Sequence, residues 1–481
     1  MNELASTPGR LIPSGSTDRV GWLRSQIVGV DAEVPLLDGT RRPYVYLDNA
    51  ASTPAFRCVL ETVEECLRWY SSVHRGAGFK SLISTHAYER AREVVLEFVG
   101  ADRDAHTCIF GKNTTEAINK LAYRIGLEPG DVVLTTIMEH HSNDLPWRVQ
   151  AEVVHAGVDR QGVLDMEDLE RKLELYSGRV KVVAATGASN VTGYTPPIHR
   201  IAELAHAHGA LVVADCAQLA PHRKVDMRPV GAPDHLDFVA LSGHKMYAPF
   251  GTGALIGPRQ FFRRGAPEYR GGGTIDIVTV DEVYWADPPD REEAGSPNVV
   301  GAVALAASIQ VLNSIGMEVL ATHERDLTGY LLERLSRIDA VEVYGISDPQ
   351  RLDERLGVVS FSVKGIPHGK VAAILGFEGG IGVRNGCFCA HPYILRLLDV
   401  RGATYDGYKL RVLSHDRTEL PGLVRVSFGC YNTRPEIDHL VAMLERVVSG
   451  GYQGDYQVER ESGFYWPTQF DPALLDAYVP I

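Results

Sequence analysis

The sequence predicts an α/β protein in which a mainly parallel β-sheet is covered by helices on both faces and is followed by a second, smaller domain. Short apolar segments alternate with amphipathic segments from about residue 44 onward, the pattern of parallel strands joined by helices. The chain has 481 residues, long enough for two to four domains of about 100–200 residues each. Its 45% hydrophobic and 23% charged residues are typical of a globular protein.

The first predicted domain contains the alternating elements. We predict buried strands at 132–134, 180–185 and 211–214. Amphipathic helices are predicted between them at 115–124 and 198–208, and Gly209 ends the second.

Four regions follow from the composition and patterning of the chain. Residues 1–43 are predicted to be an N-terminal arm and helix that packs with the small domain, and residues 44–300 form the large domain. The apolar helix 301–315 leads into a small C-terminal domain, residues 301–449, with strands at 357–363 and 423–428 and a last helix at 434–448. Residues 450–481 form a polar, aromatic tail.

Charge and cysteine content exclude several classes of protein. A net charge of −13 disfavours nucleic acid and anionic membranes as main partners. The N-terminus lacks a secretory signal pattern, and no stretch reaches the roughly 18–20 apolar residues of a membrane span, so we expect a cytoplasmic protein. Seven cysteines, an odd and sparse number, argue against a disulfide framework.

Two segments at the ends of predicted strands carry candidate catalytic groups. Lys245 follows an apolar strand within Ser242-Gly243-His244-Lys245 and suits a Schiff base to a carbonyl cofactor, although a lone lysine there is more often solvated. Asp215 ends another apolar strand, where a carboxylate can hold a pyridinium nitrogen, and a helix cap is the alternative. The Ser-x-His-Lys segment that begins at Ser242, 27 residues after Asp215, favours the cofactor interpretation.

A third segment predicts a phosphate site. Phe110 to Ala117 places the hydroxyls of Thr114 and Thr115 and free backbone N–H groups at the start of a helix. Helix N-termini bind phosphate through the dipole and these donors, although a simple N-cap has a similar sequence.

Together these segments resemble the class-V branch of pyridoxal-phosphate enzymes, specifically the cysteine desulfurase and selenocysteine lyase group. The resemblance covers about residues 22–449 and includes Tyr46 to Ser52, Val73 to Gly76, Met138 to Asn143, Ala188 to Asn190, Gly271 to Gly273 and Glu293 to Asn298. It implies a class-V aminotransferase-like fold, with a mainly parallel seven-stranded sheet and a smaller α+β domain, and pyridoxal 5'-phosphate as cofactor.

The resemblance also implies a role for each matching residue. Lys245 would carry the cofactor and move a proton at Cα, Asp215 would pair with the pyridine nitrogen, and His140 would stack on the ring and move protons. The remaining roles fall to residues that would lie near the ring hydroxyl and substrate (Gln218 and Asn190), hold the phosphate (Thr114 or Thr115, Ser242, His244) or bind the substrate (Arg384 and Arg425). Thr274 would reach the phosphate of a neighbouring subunit, which implies a homodimer with shared sites.

Cys387 and Cys389 determine the predicted reaction. Cys389 aligns with the nucleophile of the desulfurases, and Arg384 and His391 could lower its pKa. A metal site formed by Cys387, Cys389 and His391 is the first alternative, but this is not a zinc spacing and no metal site is predicted. Inert buried thiols are the second alternative.

The chain departs from the family pattern in four places. Cys387 stands where these enzymes usually have histidine, so Cys-Phe-Cys looks more like the desulfurase-like domain of molybdenum-cofactor sulfurases. The loop Ala77 to Lys80 lacks the histidine that is usual in the family. Residues 390–422 look like an insertion, and the tail, residues 450–481, has no counterpart in the family pattern. Extra segments beside the cysteines could close the site or receive a partner.

We therefore expect an enzyme that takes sulfur or selenium from L-cysteine or an analogue onto Cys389 as a persulfide and releases alanine, with a possible sulfur-acceptor protein. The alternative keeps the cofactor and changes the bond: a biosynthetic lyase, decarboxylase, carbon–carbon bond-forming enzyme or aminotransferase acting on another amino acid. Lys245, Asp215 and Arg425 argue against a third possibility, a catalytically silent scaffold.

Overall fold

The computed structural model describes residues 18–479, so the predicted N-terminal arm at 1–16 lies outside the described residues. The helices of the described part are α1 Arg19–Gln26, α2 Arg57–Trp69, α3 Phe79–Phe98, α4 Thr114–Ile125, α5 Leu145–Gln150, α6 Met166–Leu175, α7 Ile198–Ala207, α8 Arg259–Phe262, α9 Val299–Ile315, α10 Met317–Leu335, α11 His368–Gly379, α12 His391–Leu397, α13 Gly402–Leu413 and α14 Arg434–Val448. Short 3₁₀ helices are found at His141–Asn143, Gly243–Lys245, Asp290–Glu292, Pro349–Glu354 and Pro472–Tyr478.

The strands of the described part form one large sheet, one smaller sheet and several two-stranded ribbons. They are β1 Glu33–Pro35, β2 Arg41–Pro43, β3 Val45–Tyr46, β4 His106–Gly111, β5 Val132–Thr136, β6 Glu152–Ala156, β7 Val180–Thr186, β8 Leu211–Asp215, β9 Phe238–Ser242, β10 Gly253–Pro258, β11 Ile275–Val278, β12 Val283–Trp285, β13 Val341–Tyr344, β14 Val358–Val363, β15 Ile381–Gly382, β16 Arg384–Gly386, β17 Leu423–Ser427, β18 Tyr456–Val458 and β19 Tyr465–Pro467.

The large sheet has seven strands in the order β4-β10-β9-β8-β7-β5-β6. The strands from β9 to β6 are mutually parallel, whereas β10 is antiparallel to both β9 and β4. This confirms the predicted mainly parallel sheet. Because β10 runs against its neighbours, β4 again points the same way as β9, and its carboxyl end lies at the same sheet edge.

Helices cover both faces of this sheet because successive strand side chains point to opposite sides. Val212 and Ala214 face the core that includes α2, α3, α7 and α9. Val213, between them, faces the core that includes α4. The predicted strands at 132–134, 180–185 and 211–214 are therefore the interior strands of a two-sided core.

The second domain is built on the antiparallel sheet β13-β14-β17-β16. A separate core packs this sheet against α10, α11 and α14, and includes Leu331, Phe361, Val426 and Leu444. The N-terminal segment joins this part of the molecule because β3 pairs in parallel with β15. The domain boundaries themselves stay a prediction.

The two segments without a family match are folded. Residues 390–422 contain α12 and α13, and α13 has no buried side chain. In the tail, β18 and β19 form a hairpin.

Among residues 18–479, no single helix is both long enough and apolar enough to cross a membrane. Only α9 and α10 taken together pass the test of length and hydropathy, and they meet at a bend of 77°.

Candidate active site

A cavity of about 280 Å³ opens at the carboxyl ends of β5, β7, β8 and β9. This is the edge at which open parallel sheets bind ligands, because the loops that follow the strands diverge there. Apart from Thr274, the cavity is lined by all the site residues predicted from the sequence, namely Thr114, Thr115, His140, Asn190, Asp215, Gln218, Ser242, His244, Lys245, Arg384, Cys389 and Arg425.

Two buried ionisable groups, Asp215 and Lys245, form the floor of the cavity. Asp215 is the last residue of β8, and its Oδ1 accepts a hydrogen bond of 3.0 Å from the Ala217 amide. Burial raises the pKa of Asp215, and the hydrogen bond and nearby Lys245 oppose that rise. Lys245 lies in the 3₁₀ turn after β9, and burial lowers its pKa to about 8. A substantial fraction of its amine is therefore neutral near physiological pH, the form that attacks a carbonyl.

The start of α4 forms one end of the cavity. The Thr114 amide donates to Ser242 Oγ at 3.0 Å, and Thr115 Oγ1 lies 2.7 Å from Ser142 Oγ. The buried Thr114 hydroxyl has no hydrogen-bond partner among the described residues. An unpartnered buried hydroxyl at the N-terminus of a helix is suited to a phosphate oxygen.

His140 is held as a neutral ring above the floor. Its Nδ1 accepts a hydrogen bond of 3.1 Å from the Ser142 amide, which leaves the ring proton on Nε2. Burial, followed by the charge of Lys245, lowers the pKa of His140 to about 3, and burial lowers that of His244 to about 4. Neither histidine carries a positive charge at neutral pH.

Glu139 is a buried carboxyl below His140 for which the sequence indicated no role. It accepts from the Thr136 hydroxyl at 2.6 Å and from the Asn143 side chain at 2.7 Å. Burial raises the pKa of Glu139 to about 8. It anchors the loop that carries His140, a role that only its burial and contacts reveal.

Arg425 lies on β17 and has a carboxylate partner, Asp48, that sequence reasoning missed. Arg425 Nη2 donates to Asp48 Oδ1 at 2.7 Å, and its Nη1 donates to the Asn190 carbonyl at 2.9 Å. Its Nε is buried and has no partner in the described part of the chain. Arg384 lies farther from the same carboxylate, at 3.8 Å, and is more than half exposed. Two of the five N–H groups of Arg425 thus have the protein partners described above.

Cys389 is presented to the cavity by a tight turn. The Ala390 amide donates to the Cys387 carbonyl at 2.8 Å, and both central residues, Phe388 and Cys389, have positive φ, 48° and 55°. This is the φ pattern of a type I′ turn, which favours Gly and Asn, so these residues cost roughly 1–3 kcal/mol each. The Asn190 side chain donates to the Phe388 carbonyl at 2.7 Å.

Cys387 faces away from this cavity. Its thiol donates to the Pro421 carbonyl at 3.2 Å, and burial raises its pKa to about 12. It lines a second cavity of about 430 Å³ between the turn, α13 and residues 462–464. The two cysteines therefore have different surroundings, although only one residue separates them.

His391 does not supply the positive charge expected beside Cys389. Its Nδ1 lies 3.1 Å from His141 Nε2, and the two rings stack with centroids 4.9 Å apart. Burial lowers the pKa of His391, so the ring is neutral at neutral pH. Arg384 is the remaining candidate for that role.

Thr274 lies outside the cavity of its own chain. It is fully buried, and its hydroxyl donates to the Gly271 carbonyl at 2.8 Å. The hairpin that follows, β11 and β12, exposes a series of apolar side chains, namely Ile277, Val278, Val280, Val283 and Tyr284.

Comparison with known proteins agrees with this geometry. The family model for aminotransferase class-V matches residues 45–440, which is most of the chain. The chain belongs to the class-V aminotransferase family. Like other members of this family it is a pyridoxal-phosphate-dependent enzyme. The unpartnered, buried Thr114 Oγ1 and Gln218 Oε1 and the buried Asp215 fit that cofactor, since each is a polar group in the cavity with bonding capacity to spare.

Two curated relatives and one solved structure are similar to this chain over nearly their full lengths. A probable cysteine desulfurase of Halalkalibacterium halodurans is 37% identical, over 84% of this chain and 93% of the relative. A cysteine desulfurase of Haloferax volcanii is 36% identical, over 87% of this chain and 93% of the relative. The apo structure of a cysteine desulfurase from Thermococcus onnurineus NA1 has a TM-score of 0.74 and 34% identity, over 85% of this chain and 95% of that structure.

Proposed function

We propose that this chain is a cysteine desulfurase that takes sulfur, or selenium from the analogous substrate, onto Cys389. The observation that carries the proposal is the position of the Cys389 side chain, which lines the same cavity as Lys245 on a strained turn. The relatives named cysteine desulfurase support it.

We assign a task in this reaction to five of the cavity residues. Pyridoxal phosphate, when bound, supplies an electron sink for the substrate Cα. The phosphate end would be held by the start of α4, where Thr114 and Thr115 lie, and the ring nitrogen by Asp215. Arg425 binds the substrate carboxylate with N–H groups that Asp48 and the Asn190 carbonyl leave free, and the Lys245 amine moves a proton at Cα.

Sulfur transfer is a step between the substrate and Cys389. The Cys389 thiolate forms an S–S bond with the substrate sulfur as the substrate Cβ–S bond breaks, and the electron pair remains on the carbon. Protonation of that carbon gives alanine, and Cys389 keeps the sulfur as a persulfide. Because Cys389 is exposed, an acceptor thiol from another protein or a small molecule can reach the outer sulfur.

Alanine formation from L-cysteine tests this function. We expect wild type and Cys387→Ser to release alanine, and Cys389→Ala to lose at least about 100-fold in rate because the sulfur has no acceptor. The Cys387→Ser variant is the matched control, since its thiol faces the second cavity.

Two outcomes contradict the desulfurase function. In the first, wild-type enzyme that shows the visible absorption of the cofactor releases no alanine. In the second, Cys389→Ala releases alanine as fast as wild type does. In either case the same assay with other amino acids tests the alternative reaction classes.

We infer in addition that the enzyme is a homodimer in which Thr274 approaches the partner's site. The β11–β12 hairpin beside Thr274 exposes apolar side chains, and contiguous exposed apolar surface marks protein interfaces. Val280→Glu is expected to shift sedimentation toward a monomer, whereas Leu410→Glu on α13, also exposed, should leave the mass unchanged. A monomeric wild type would contradict the dimer.

We also place the enzyme in the cytoplasm. All seven cysteines are free, as expected in a reducing compartment.

A further inference from the structure

A cluster of two histidines and an aspartate, residue types that bind metals, lies at the sheet edge opposite the active site. His206 is near the end of α7, and His235 and Asp237 lie in the loop that leads into β9. One ligand atom from each side chain lies within 4.8 Å of the other two. Because Asp237 precedes β9, the cluster is at the amino ends of the parallel strands, whereas the cavity is at their carboxyl ends.

The two imidazole rings approach the two oxygens of one carboxylate. His206 Nε2 lies 2.9 Å from Asp237 Oδ2, and His235 Nε2 lies 3.3 Å from Asp237 Oδ1. The imidazole rings stack with centroids 4.3 Å apart. The carboxylate is itself held in place, because Oδ2 accepts from the Val212 amide at 2.8 Å.

Hydrogen bonding on the far side of each ring determines where the ring protons are. His206 Nδ1 lies 2.8 Å from the Pro233 carbonyl, and His235 Nδ1 lies 2.6 Å from the Ala232 carbonyl. A carbonyl oxygen only accepts, so each Nδ1 carries a proton. In a neutral ring, Nε2 then has a lone pair that points at a carboxylate oxygen.

A cation between the two Nε2 atoms and the carboxylate removes this repulsion between acceptors and uses both lone pairs. Histidine metal ligands usually donate their other N–H to a carbonyl or carboxylate, as both rings do here.

The distances are close to those of a zinc site. Bonds of about 2.0–2.1 Å at tetrahedral angles place neighbouring ligand atoms about 3.3 Å apart. His206 Nε2 lies 2.9 Å from Asp237 Oδ2, and His235 Nε2 lies 3.3 Å from the other carboxylate oxygen, Oδ1. The His206 and His235 side chains are 19% and 18% exposed, which leaves solvent access for the metal and for a water as fourth ligand.

We propose that His206, His235 and Asp237 form a Zn²⁺ site, with water as the fourth ligand. The metal ties the end of α7 to the loop before β9. It is structural, since the catalytic cavity is at the opposite sheet edge. The proposal is independent of the desulfurase function.

Metal binding to the holoenzyme tests the site. The experiment uses the double variant Cys387→Ser, Cys389→Ser as the background protein, because it lacks the two neighbouring thiols that would compete for the metal. Zinc affinity is measured by calorimetry after chelator treatment, and geometry by the visible absorption of bound Co²⁺. We expect one Zn²⁺ per chain and a tetrahedral Co²⁺ spectrum.

Variants of the ligands locate the metal. His235→Gln is expected to weaken zinc binding by about 100-fold or more and to abolish the Co²⁺ spectrum. His208→Gln is the matched control, because this histidine lies beside α7 and contacts only the Leu204 carbonyl among the partners described. It should bind zinc like the background.

Folding is checked separately with Asp237→Asn. Its side-chain oxygen can still accept from the Val212 amide, so circular dichroism should match wild type while zinc binding is lost. Absence of zinc binding in the background protein overturns the proposal. Equal binding by His235→Gln also overturns it.

Discussion

Burial moves the pKa values of the two groups at the floor of the cavity in opposite directions. It raises the pKa of the Asp215 carboxyl and lowers that of the Lys245 amine to about 8, because in each case the charged form loses hydration. The same cause keeps His140 and His244 neutral. Arg425, paired with Asp48, therefore supplies a buried cation that can receive a carboxylate.

Titration of Lys245 in the cofactor-free protein checks the first of these effects. Competitive acetylation with acetic anhydride should give half-maximal reactivity near pH 8, since the neutral amine is the reactive form and its fraction rises with pH. An unperturbed lysine reaches that point near pH 10.4, about two units higher.

The Lys245 peptide is quantified by mass spectrometry, and the same peptide acetylated in urea-unfolded protein supplies the reference profile. Coincident profiles for folded and unfolded protein would show that burial has no such effect.

At the scale of elements, the turn from Cys387 to Ala390 determines which cavity each cysteine side chain faces. Positive φ at both central residues turns the chain so sharply that Cys389 lines the catalytic cavity and Cys387 the second cavity. Contacts from two other elements stabilise this strained geometry. The Asn190 side chain binds the Phe388 carbonyl, and the His141 amide binds the Cys389 carbonyl.

Removing one of these contacts should loosen the turn without removing the thiol. Asn190→Ala leaves the buried Phe388 carbonyl without its donor, at a cost of about 1–3 kcal/mol. We expect faster hydrogen exchange in peptides covering residues 387–391 and a fall of about 10-fold or more in alanine formation.

Asn385→Ala is the control, because its side chain contacts His368 and not the turn. Unchanged exchange in Asn190→Ala would show that its amide does not hold the turn.

For the whole molecule, Glu324 on α10 joins the two domains. Its Oε1 lies 2.9 Å from His222 Nδ1 in the large domain and accepts from the Gly357 amide, before β14, at 2.8 Å. Burial by itself would raise the pKa of Glu324, but His222, Arg223 and the Gly357 amide together lower it to about 2. The cavity lies between the same two domains, because Arg425 comes from β17 and Lys245 from the turn after β9.

The low pKa of Glu324 predicts how the free energy of unfolding depends on pH. A carboxyl with a depressed pKa stabilises the folded state above its unfolded value of about 4.3, and that stability is lost as pH falls toward 2. The difference amounts to roughly 3 kcal/mol in the free energy of unfolding.

Glu324→Gln should therefore destabilise the protein at pH 7 and flatten the pH dependence of its stability below about pH 4.3. Urea unfolding at a series of pH values measures both effects. Glu333→Gln on the same helix is the control, since its carboxylate is largely exposed. If the free energy of unfolding falls with acid equally steeply in Glu324→Gln and wild type, the pH dependence does not come from Glu324.

The sequence by itself determined the fold class and the order of the main strands and helices, and its resemblance to a known family implied most of the residues that gather in the cavity. The elements follow from apolar periodicity, and local patterns marked a lysine after a strand and hydroxyls at a helix start. The resemblance depends on motifs of neighbouring residues. Such signals lie within a few positions of one another, so no tertiary contact is needed to read them. The roles of the individual site residues stay predictions.

Only the tertiary structure decided which groups meet across long separations. Asp48 pairs with Arg425, 377 residues away, and Cys387 and Cys389 face different cavities. His206, His235 and Asp237 come together from a helix and a loop without any ligand spacing in the sequence. Burial, on which every pKa shift at this site depends, is likewise a property of the folded chain, because it is the packing of distant segments that removes water from these groups.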